Sequence, residues 1–135
     1  MSKITASQAL QLAKDYNQSA NNIGDFRLRN WETLSAEDRL VLGNTGRTLL
    51  DHSQDLITYA VGKTLDDTQA SLNDIRKATA DANQTIKTIN EIKKVINIGA
   101  ELVTLAAAIY TESPSGIASA LKTLVAAVSG DEDSS

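Results

Sequence analysis

The feature that most constrains this chain is an unbroken heptad pattern through its middle. Between Leu65 and Val103, small, apolar or isolated polar residues recur at alternating steps of three and four. This spacing places them along one side of an α-helix and predicts a continuous packing seam. The segment Ser113-Pro114-Ser115-Gly116 ends the pattern, because proline cannot continue a helix. The sequence therefore predicts a spine helix of about 47 residues, about 70 Å long.

The seam is imperfect, since Thr68, Thr79 and Lys93 lie on it. Such a seam favours a bundle that packs on several faces over a two-stranded coiled coil. We expect its apolar members to form a spine and oligomer interface. These residues are Leu65, Leu72, Ile75, Ala82, Ile86, Ile89, Ile96 and Val103.

Capping and stop signals divide the rest of the chain into three shorter helices. The first is predicted to begin at a Thr5–Gln8 capping box and to end at Gly24-Asp25, before a connector over 26–34. The second is predicted from a Ser35 cap to Gly62, with a restart at Thr64, and the last from about Ser115 to Ser129. The predicted fold is an all-α antiparallel bundle of about four helices. It occupies one domain, 1–130, followed by an acidic tail at 131–135 that we expect to be disordered.

The most apolar part of the chain is the predicted hairpin at 95–129. Of its 35 residues, 21 are apolar and only three are charged. The apolar positions proposed as hairpin or membrane contacts are Val95, Ile98, Leu102, Leu105, Ile109, Ile117, Leu121, Leu124, Val125 and Val128. A narrow polar stripe contains Asn97, Glu101, Thr104 and Lys122. Laid along the spine, the other helices leave this hairpin uncovered, and helices apolar over most of their circumference must be buried in protein or in lipid.

Three environments can bury the hairpin: the core of the bundle, the interface of an oligomer, or a membrane contacted conditionally. Each helix is shorter than the ~20 residues that cross a bilayer core, which argues against a permanent span. Long amphipathic helices with a hydrophobic hairpin resemble the general design of α-helical pore-forming toxins. That resemblance covers residues 65–129 and implies a hairpin masked until membrane contact. An alternative is an amphipathic coat or adaptor on a lipid-like or polymer surface, as in phasin-type granule proteins.

Composition argues against most catalytic and binding classes. The chain has no cysteine, one histidine and a net charge of −4, so thiol chemistry and zinc fingers are excluded and a nucleic-acid partner is not expected. The sole histidine, His52, is flanked by Asp51 and Asp55, an arrangement more typical of solvated surface pairs than of a metal site. We therefore predict no catalytic, cofactor-binding or metal-binding residues, no cofactor, no small-molecule substrate, and no enzyme.

One aromatic and basic cluster, Phe26-Arg27-Leu28-Arg29-Asn30-Trp31, leaves two interpretations open. Its apolar side chains either anchor the connector on the bundle, or the cluster touches an anionic headgroup, a phosphate or a partner. No secretory signal is visible at the N-terminus, so the expected compartment is the cytosol, with export by a route without a cleaved signal left open.

The sequence thus predicts a non-enzymatic helical interaction protein. We expect it to self-assemble as a homo-oligomer, or with a helical partner, through the spine and the C-terminal hairpin. Membrane engagement or permeabilisation is one specific form of this prediction.

Overall fold

The computed structural model describes residues 6–62, 72–89, 91–110 and 114–129. Within these ranges the chain forms five α-helices and no strand. They are α1 (Ala6–Arg29), α2 (Ala36–Gly62), α3 (Leu72–Thr88), α4 (Ile92–Tyr110) and α5 (Pro114–Ser129). The all-α prediction is confirmed, whereas the expectation of about four helices is corrected to five. The Thr5–Gln8 capping box, the restart at Thr64 and the acidic tail lie outside the described side chains.

The prediction of one continuous spine of about 47 residues is wrong. The described helices divide the spine into α3, which ends at Thr88, and α4, which begins at Ile92. The Ile89 N–H still donates to the Thr85 carbonyl at 3.0 Å, and the ladder resumes where the Val95 N–H donates to the Glu91 carbonyl at 3.1 Å. The sequence here, Thr88-Ile89-Asn90, consists of weak helix formers. The heptad spacing continues through them, so the apolar pattern alone does not reveal the break.

The chain folds back at this break, and contacts with α1 show it. Arg29, at the C-terminal end of α1, donates from Nη2 to the Ile86 carbonyl at 3.2 Å. Further toward the start of α1, Asp15 pairs with Arg76 of α3, with Oδ2 and Nε 2.8 Å apart. The side chain of Ile23, also on α1, lies against Gly99 of α4. Thus α3 and α4 both extend from the Arg29 end of α1 toward its beginning, and they are antiparallel to each other.

The helices therefore alternate in direction along the chain. Helix α1 packs most extensively on α2 and also contacts α3 and α4, while α5 packs on both α4 and α3. The hairpin of α4 and α5 is consequently covered by α1, α2 and α3. This corrects the expectation of an uncovered hairpin, which depended on a straight spine. The core contains side chains from all five helices, and its largest members include Tyr16, Phe26, Ile75, Leu102 and Ile98.

Helix α1 continues beyond its predicted stop at Gly24-Asp25. It ends at Arg29, and the turn that follows brings Leu34 into the core. Phe26 is fully buried one turn after Ile23, so its packing offsets the cost of about 1 kcal/mol for an internal glycine. Helix continuity here is decided by tertiary packing and not by local propensity.

The predicted N-cap of α2 is found, and α2 also approaches α1 closely at Gly46. The Ser35 Oγ accepts the Asp38 N–H at 3.0 Å, as expected for an N-cap. A Cβ on Gly46 would lie 3.8 Å from the Ala20 carbonyl oxygen, so α1 and α2 are close there. A tighter contact at Gly99 of α4 was not predicted: a Cβ there would lie 2.8 Å from Thr45 Cγ2 and 3.1 Å from Ile23 Cδ1.

Candidate functional site

The inner face of α4 is the apolar centre of the bundle. Its residues are fully buried and repeat at steps of three and four, which is itself a heptad row. They are Val95, Ile98, Leu102, Leu105 and Ile109, all proposed from the sequence as hairpin contacts. Their own chain therefore covers them in the folded bundle.

In α4, the residues that the heptad pattern predicted as the seam come one residue after those of the inner face. They face outward. Ile96 and Val103 are only half-buried, as is Ile89 just before the helix. Ala100 and Thr104 beside them are exposed, and Ala107 is half-buried. We call Ile96, Ala100, Val103, Thr104 and Ala107 the outer face of α4. This face contains no charged residue, although Glu101 flanks it.

In α3 the same seam has the opposite environment. Ile75, Ala82 and Ile86 are fully buried. They pack on the bundle, where α3 contacts α1, α5 and α4. The side chains of Leu65 and Leu72 lie outside the described residues.

Helix α5 divides its predicted contacts between core and surface. Ile117 and Leu124 are fully buried, Leu121 and Val128 are half-buried, and Val125 is 52% exposed. Between α5 and α3 runs a shallow groove of about 250 Å³. Its lining consists of Asp74, Lys77, Ala78, Asp81, Leu121 and Val125.

The predicted polar stripe lies along the border between buried and exposed surface. Asn97 and Glu101 are half-buried, while Thr104 and Lys122 are exposed. The Thr104 hydroxyl donates to the Ala100 carbonyl at 3.0 Å, so its polar group is satisfied within α4. An exposed threonine of this kind presents mainly its methyl group to a neighbour.

A polar junction between α1 and α3 was missed from the sequence. Arg76 binds Asp15 with both Nε and Nη2, at 2.8 and 3.3 Å, and Asn83 donates to the Asp15 carbonyl at 3.4 Å. The Asp15 carboxylate raises the pKa of Arg76 by hydrogen bonding and by its charge. Polar residues on a predicted seam, such as Thr79, were the available signal for this junction.

Two side-chain atoms of the junction are buried without a hydrogen-bond partner: the Tyr16 hydroxyl and Asn83 Oδ1. The Thr79 hydroxyl lies beside Tyr16 and donates to the Ile75 carbonyl. Burial raises the pKa of Tyr16 well above its usual value near 10, and Asp15 raises it further. An unpartnered buried polar atom costs about 1–3 kcal/mol, so this junction is less favourable than the apolar interior.

The aromatic and basic cluster divides between core and surface. Phe26 is buried, whereas Leu28 is 70% exposed and Trp31 is 39% exposed. The guanidinium carbons of Arg39 and Arg27 lie 4.3 and 4.9 Å from the centre of the Trp31 ring. Anchoring therefore applies to Phe26 but not to Leu28, which points to solvent.

No grouping suited to a metal ion occurs among the described residues. His52 is largely buried and its Nδ1 lies 3.4 Å from Asp55 Oδ2, without hydrogen-bond geometry. Another groove, of about 280 Å³ between α1 and α2, is lined by Leu10, Ala13, Lys14, Asn17, Gln18 and Ser53. The Ser53 hydroxyl in that groove donates to the Ala13 carbonyl at 2.9 Å. The described grooves thus offer contact surface and not a constellation of nucleophile, base and oxyanion donors.

No family model matches the chain, and comparisons with curated proteins and with solved structures found no significant match. Among the described helices, none combines the length and apolar character needed to cross a bilayer.

Proposed function

We propose that this chain is a non-enzymatic helical interaction protein that self-assembles through the outer face of α4. The observation that carries the proposal is that the outer face of α4 has no charged residue and lies outside the core formed by the described helices. A helix that is apolar around most of its circumference requires a partner for each face. The inner row of α4 has one within the chain, and a second copy supplies one for the outer face.

The residues of the outer face suit close helix packing. Ala100, Thr104 and Ala107 are small, so a second helix can approach closely between Ile96 and Val103. A second helix would cover the exposed parts of the half-buried Ile96 and Val103 side chains. Each Å² of apolar surface covered in this way favours association by about 25 cal/mol. The proposal assigns no catalytic role, because the described grooves contain no catalytic constellation.

Conditional membrane contact is a second candidate, and the way α5 is covered supports it. The inner side of α5 is covered in part by α3, whose described buried face has only two large apolar side chains, Ile75 and Ile86. The inner row of α4 has five. If α3 separates first, Leu121 becomes exposed beside Val125, which is already 52% exposed, together with the part of α5 that α3 covers. A coat or adaptor role, as on a lipid-like surface, needs only the outer face and no such opening.

Self-assembly is tested by the mass of the protein in solution, measured by light scattering over a range of concentrations. We expect a mass above 14.4 kDa for the natural chain. Val103→Glu should return it to the mass of one chain, because the interface would have to bury an unpaired carboxylate. Ala80→Glu, at an exposed position on α3, is the matched control and should assemble normally. A natural chain that stays at 14.4 kDa throughout would contradict the proposal.

The membrane candidates are separated by leakage of dye-filled vesicles. Lys77 and Val125 line the same groove, so Lys77→Cys/Val125→Cys joined by a short bis-maleimide holds α3 against α5. Because the chain has no other cysteine, the linkage is specific. Insertion predicts leakage that the linked protein loses and the unlinked double variant keeps. A coat predicts vesicle binding without leakage in both forms, and absence of both binding and leakage would exclude either membrane role.

A further inference from the structure

Where α1 ends and α2 begins, the two helices bring three arginines around an exposed tryptophan and leucine. We call Arg27, Leu28, Arg29, Trp31 and Arg39 the arginine–tryptophan end. Leu28 is the most exposed of the large apolar side chains in the described part of the chain, at 70%. A shallow depression of about 400 Å³ lies beside it and is lined by residues 28–33. Apolar and cationic side chains therefore share one exposed surface.

The three guanidinium groups are held in place by backbone carbonyls. Arg39 donates to the Trp31 carbonyl from Nε and Nη2, at 2.9 and 2.6 Å. Arg27 donates from Nε to the Arg39 carbonyl at 2.7 Å, and Arg29 donates from Nη2 to the Ile86 carbonyl at 3.2 Å. These bonds fix the positions of the cations but do not neutralise their charge.

Among the described residues, no carboxylate forms an ion pair with any of these arginines. Arg27 and Arg39 also lie over the same indole ring, so two like charges are held close together. An oxyanion that accepts from the remaining N–H groups of both would relieve this repulsion, and guanidinium groups bind phosphate well. The surface is thus complementary to phosphate.

We propose that the arginine–tryptophan end docks on the surface of an anionic phospholipid bilayer. Headgroup phosphates accept hydrogen bonds from the guanidinium groups, while Leu28 and the Trp31 ring enter the interfacial region. Tryptophan and arginine are suited to this depth because each combines an apolar or planar body with polar groups. The proposal rests on the membrane part of the proposed function and assigns the first contact to this end and not to the hairpin.

Glu32 lies in the same depression and opposes docking by repulsion from anionic lipid. Substituting Glu32 should therefore change vesicle binding in the opposite direction from substituting an arginine. Glu32→Gln should bind anionic vesicles more tightly, whereas loss of an arginine should weaken binding.

Trp31 is the only tryptophan in the chain, so its fluorescence reports directly on this surface. The probes are vesicles of phosphatidylcholine alone and vesicles containing phosphatidylserine. We expect a blue shift of Trp31 emission, and protection from a soluble quencher, only with the anionic vesicles. Arg29→Gln should lower the partition coefficient about fivefold, since a basic residue near an anionic surface contributes about 1 kcal/mol. Leu28→Ser should lower it about tenfold through lost apolar burial.

Matched controls separate docking from general charge and apolarity. Arg47→Gln and Leu50→Ser, exposed positions elsewhere on α2, should bind as the natural chain does. The Leu28 side chain forms no hydrogen bond, so Leu28→Ser tests docking without disturbing the turn, and helical circular dichroism checks its fold. Inorganic phosphate should leave the emission unchanged at millimolar concentration, since a free anion lacks the apolar contact.

The proposal is overturned if anionic vesicles leave Trp31 emission unchanged, if the controls weaken binding as much as Leu28→Ser, or if an oligonucleotide shifts the emission and vesicles do not. Val103→Glu distinguishes this result from self-assembly, because it should remain a single chain and still dock. A protein that assembles and causes leakage without a response from Trp31 would retain the proposed function and refute only the docking surface.

Discussion

Helices α3 and α4 share one continuous heptad pattern but present it to opposite environments. In α3 the seam is the only row with large apolar residues, so it faces the core through Ile75 and Ile86. In α4 there is a second row of apolar residues, which comes one residue before the seam and has larger side chains than the seam. The core takes that row, including Leu102, and leaves Val103 half-exposed.

The break between the end of α3 at Thr88 and the start of α4 at Ile92 makes this change of register possible. An uninterrupted helix would keep the seam on one side along its whole length. Interrupting the hydrogen-bond ladder lets α4 rotate by about one residue, or about 100°, relative to α3. The comparison shows that a periodic pattern predicts orientation only where no competing row exists.

Among the substitutions to alanine, the one with the largest expected effect on stability distinguishes the two halves of the seam. Ile86→Ala in α3 should lower the free energy of unfolding by about 2–5 kcal/mol, because it leaves a cavity in the core. Ile96→Ala in α4, at a half-buried position, should cost less than half as much. Urea denaturation of both variants at low protein concentration measures the difference. Equal losses would mean that both halves face the core.

A second prediction concerns the close approach of α4 to α1 and α2 at Gly99. Gly99→Ala should destabilise the fold by about 1–3 kcal/mol, because the new Cβ overlaps the Thr45 methyl group. Adding Thr45→Ser, which removes that methyl group, should restore part of the loss. Gly24→Ala, where nothing lies within 4 Å of the new Cβ, should instead stabilise by up to about 1 kcal/mol. Thermal unfolding of the three variants checks the signs, and a stabilising Gly99→Ala would contradict this packing.

The polar junction of α3 should make the protein sensitive to alkaline pH. Tyr16 stays protonated in the fold because burial raises its pKa, while in the unfolded chain it loses its proton above about pH 10. The unfolded state then binds fewer protons, so stability should fall by about 1.4 kcal/mol per pH unit above that value. Tyr16→Phe should flatten this decline between pH 10 and 11.5, and it should raise stability at pH 7 by up to about 1–3 kcal/mol because it removes a buried hydroxyl without a partner. If the stability of the natural chain and of Tyr16→Phe fell equally with rising pH, a group other than Tyr16 would be responsible for the decline.

The smallest expected effect is at the ion pair that joins α1 to α3. Arg76→Gln should cost about 0.2–1 kcal/mol, since both side chains are partly exposed and salt screens them. The loss should shrink as salt concentration rises. Lys77→Gln, which removes an exposed pair within α3 itself, is the control and should cost less. If Arg76→Gln lowered the free energy of unfolding by more than about 2 kcal/mol, the Asp15–Arg76 pair would not be behaving as a partly exposed ion pair.

The sequence was sufficient for the helical class, for α2 and α5, and for the Ser35 cap, because each depends on local propensity or a local hydrogen bond. It was insufficient for the end of α1, where burial of Phe26 outweighs Gly24. The inner face of α4 was predicted as apolar, but its orientation required the fold-back at 89–91, which weak local propensities do not specify. The junction at Asp15 and Arg76 depends on two residues far apart in sequence, and no local pattern relates them.

The most direct test of this account compares two adjacent residues, Leu102 and Val103. Leu102 is fully buried in the inner row and Val103 is half-exposed on the outer face. We predict that Leu102→Glu abolishes cooperative unfolding in urea, whereas Val103→Glu lowers the free energy of unfolding by less than about 1 kcal/mol. The reverse result, with Val103→Glu unfolded and Leu102→Glu stable, would place the predicted seam in the core and contradict the outer face of α4.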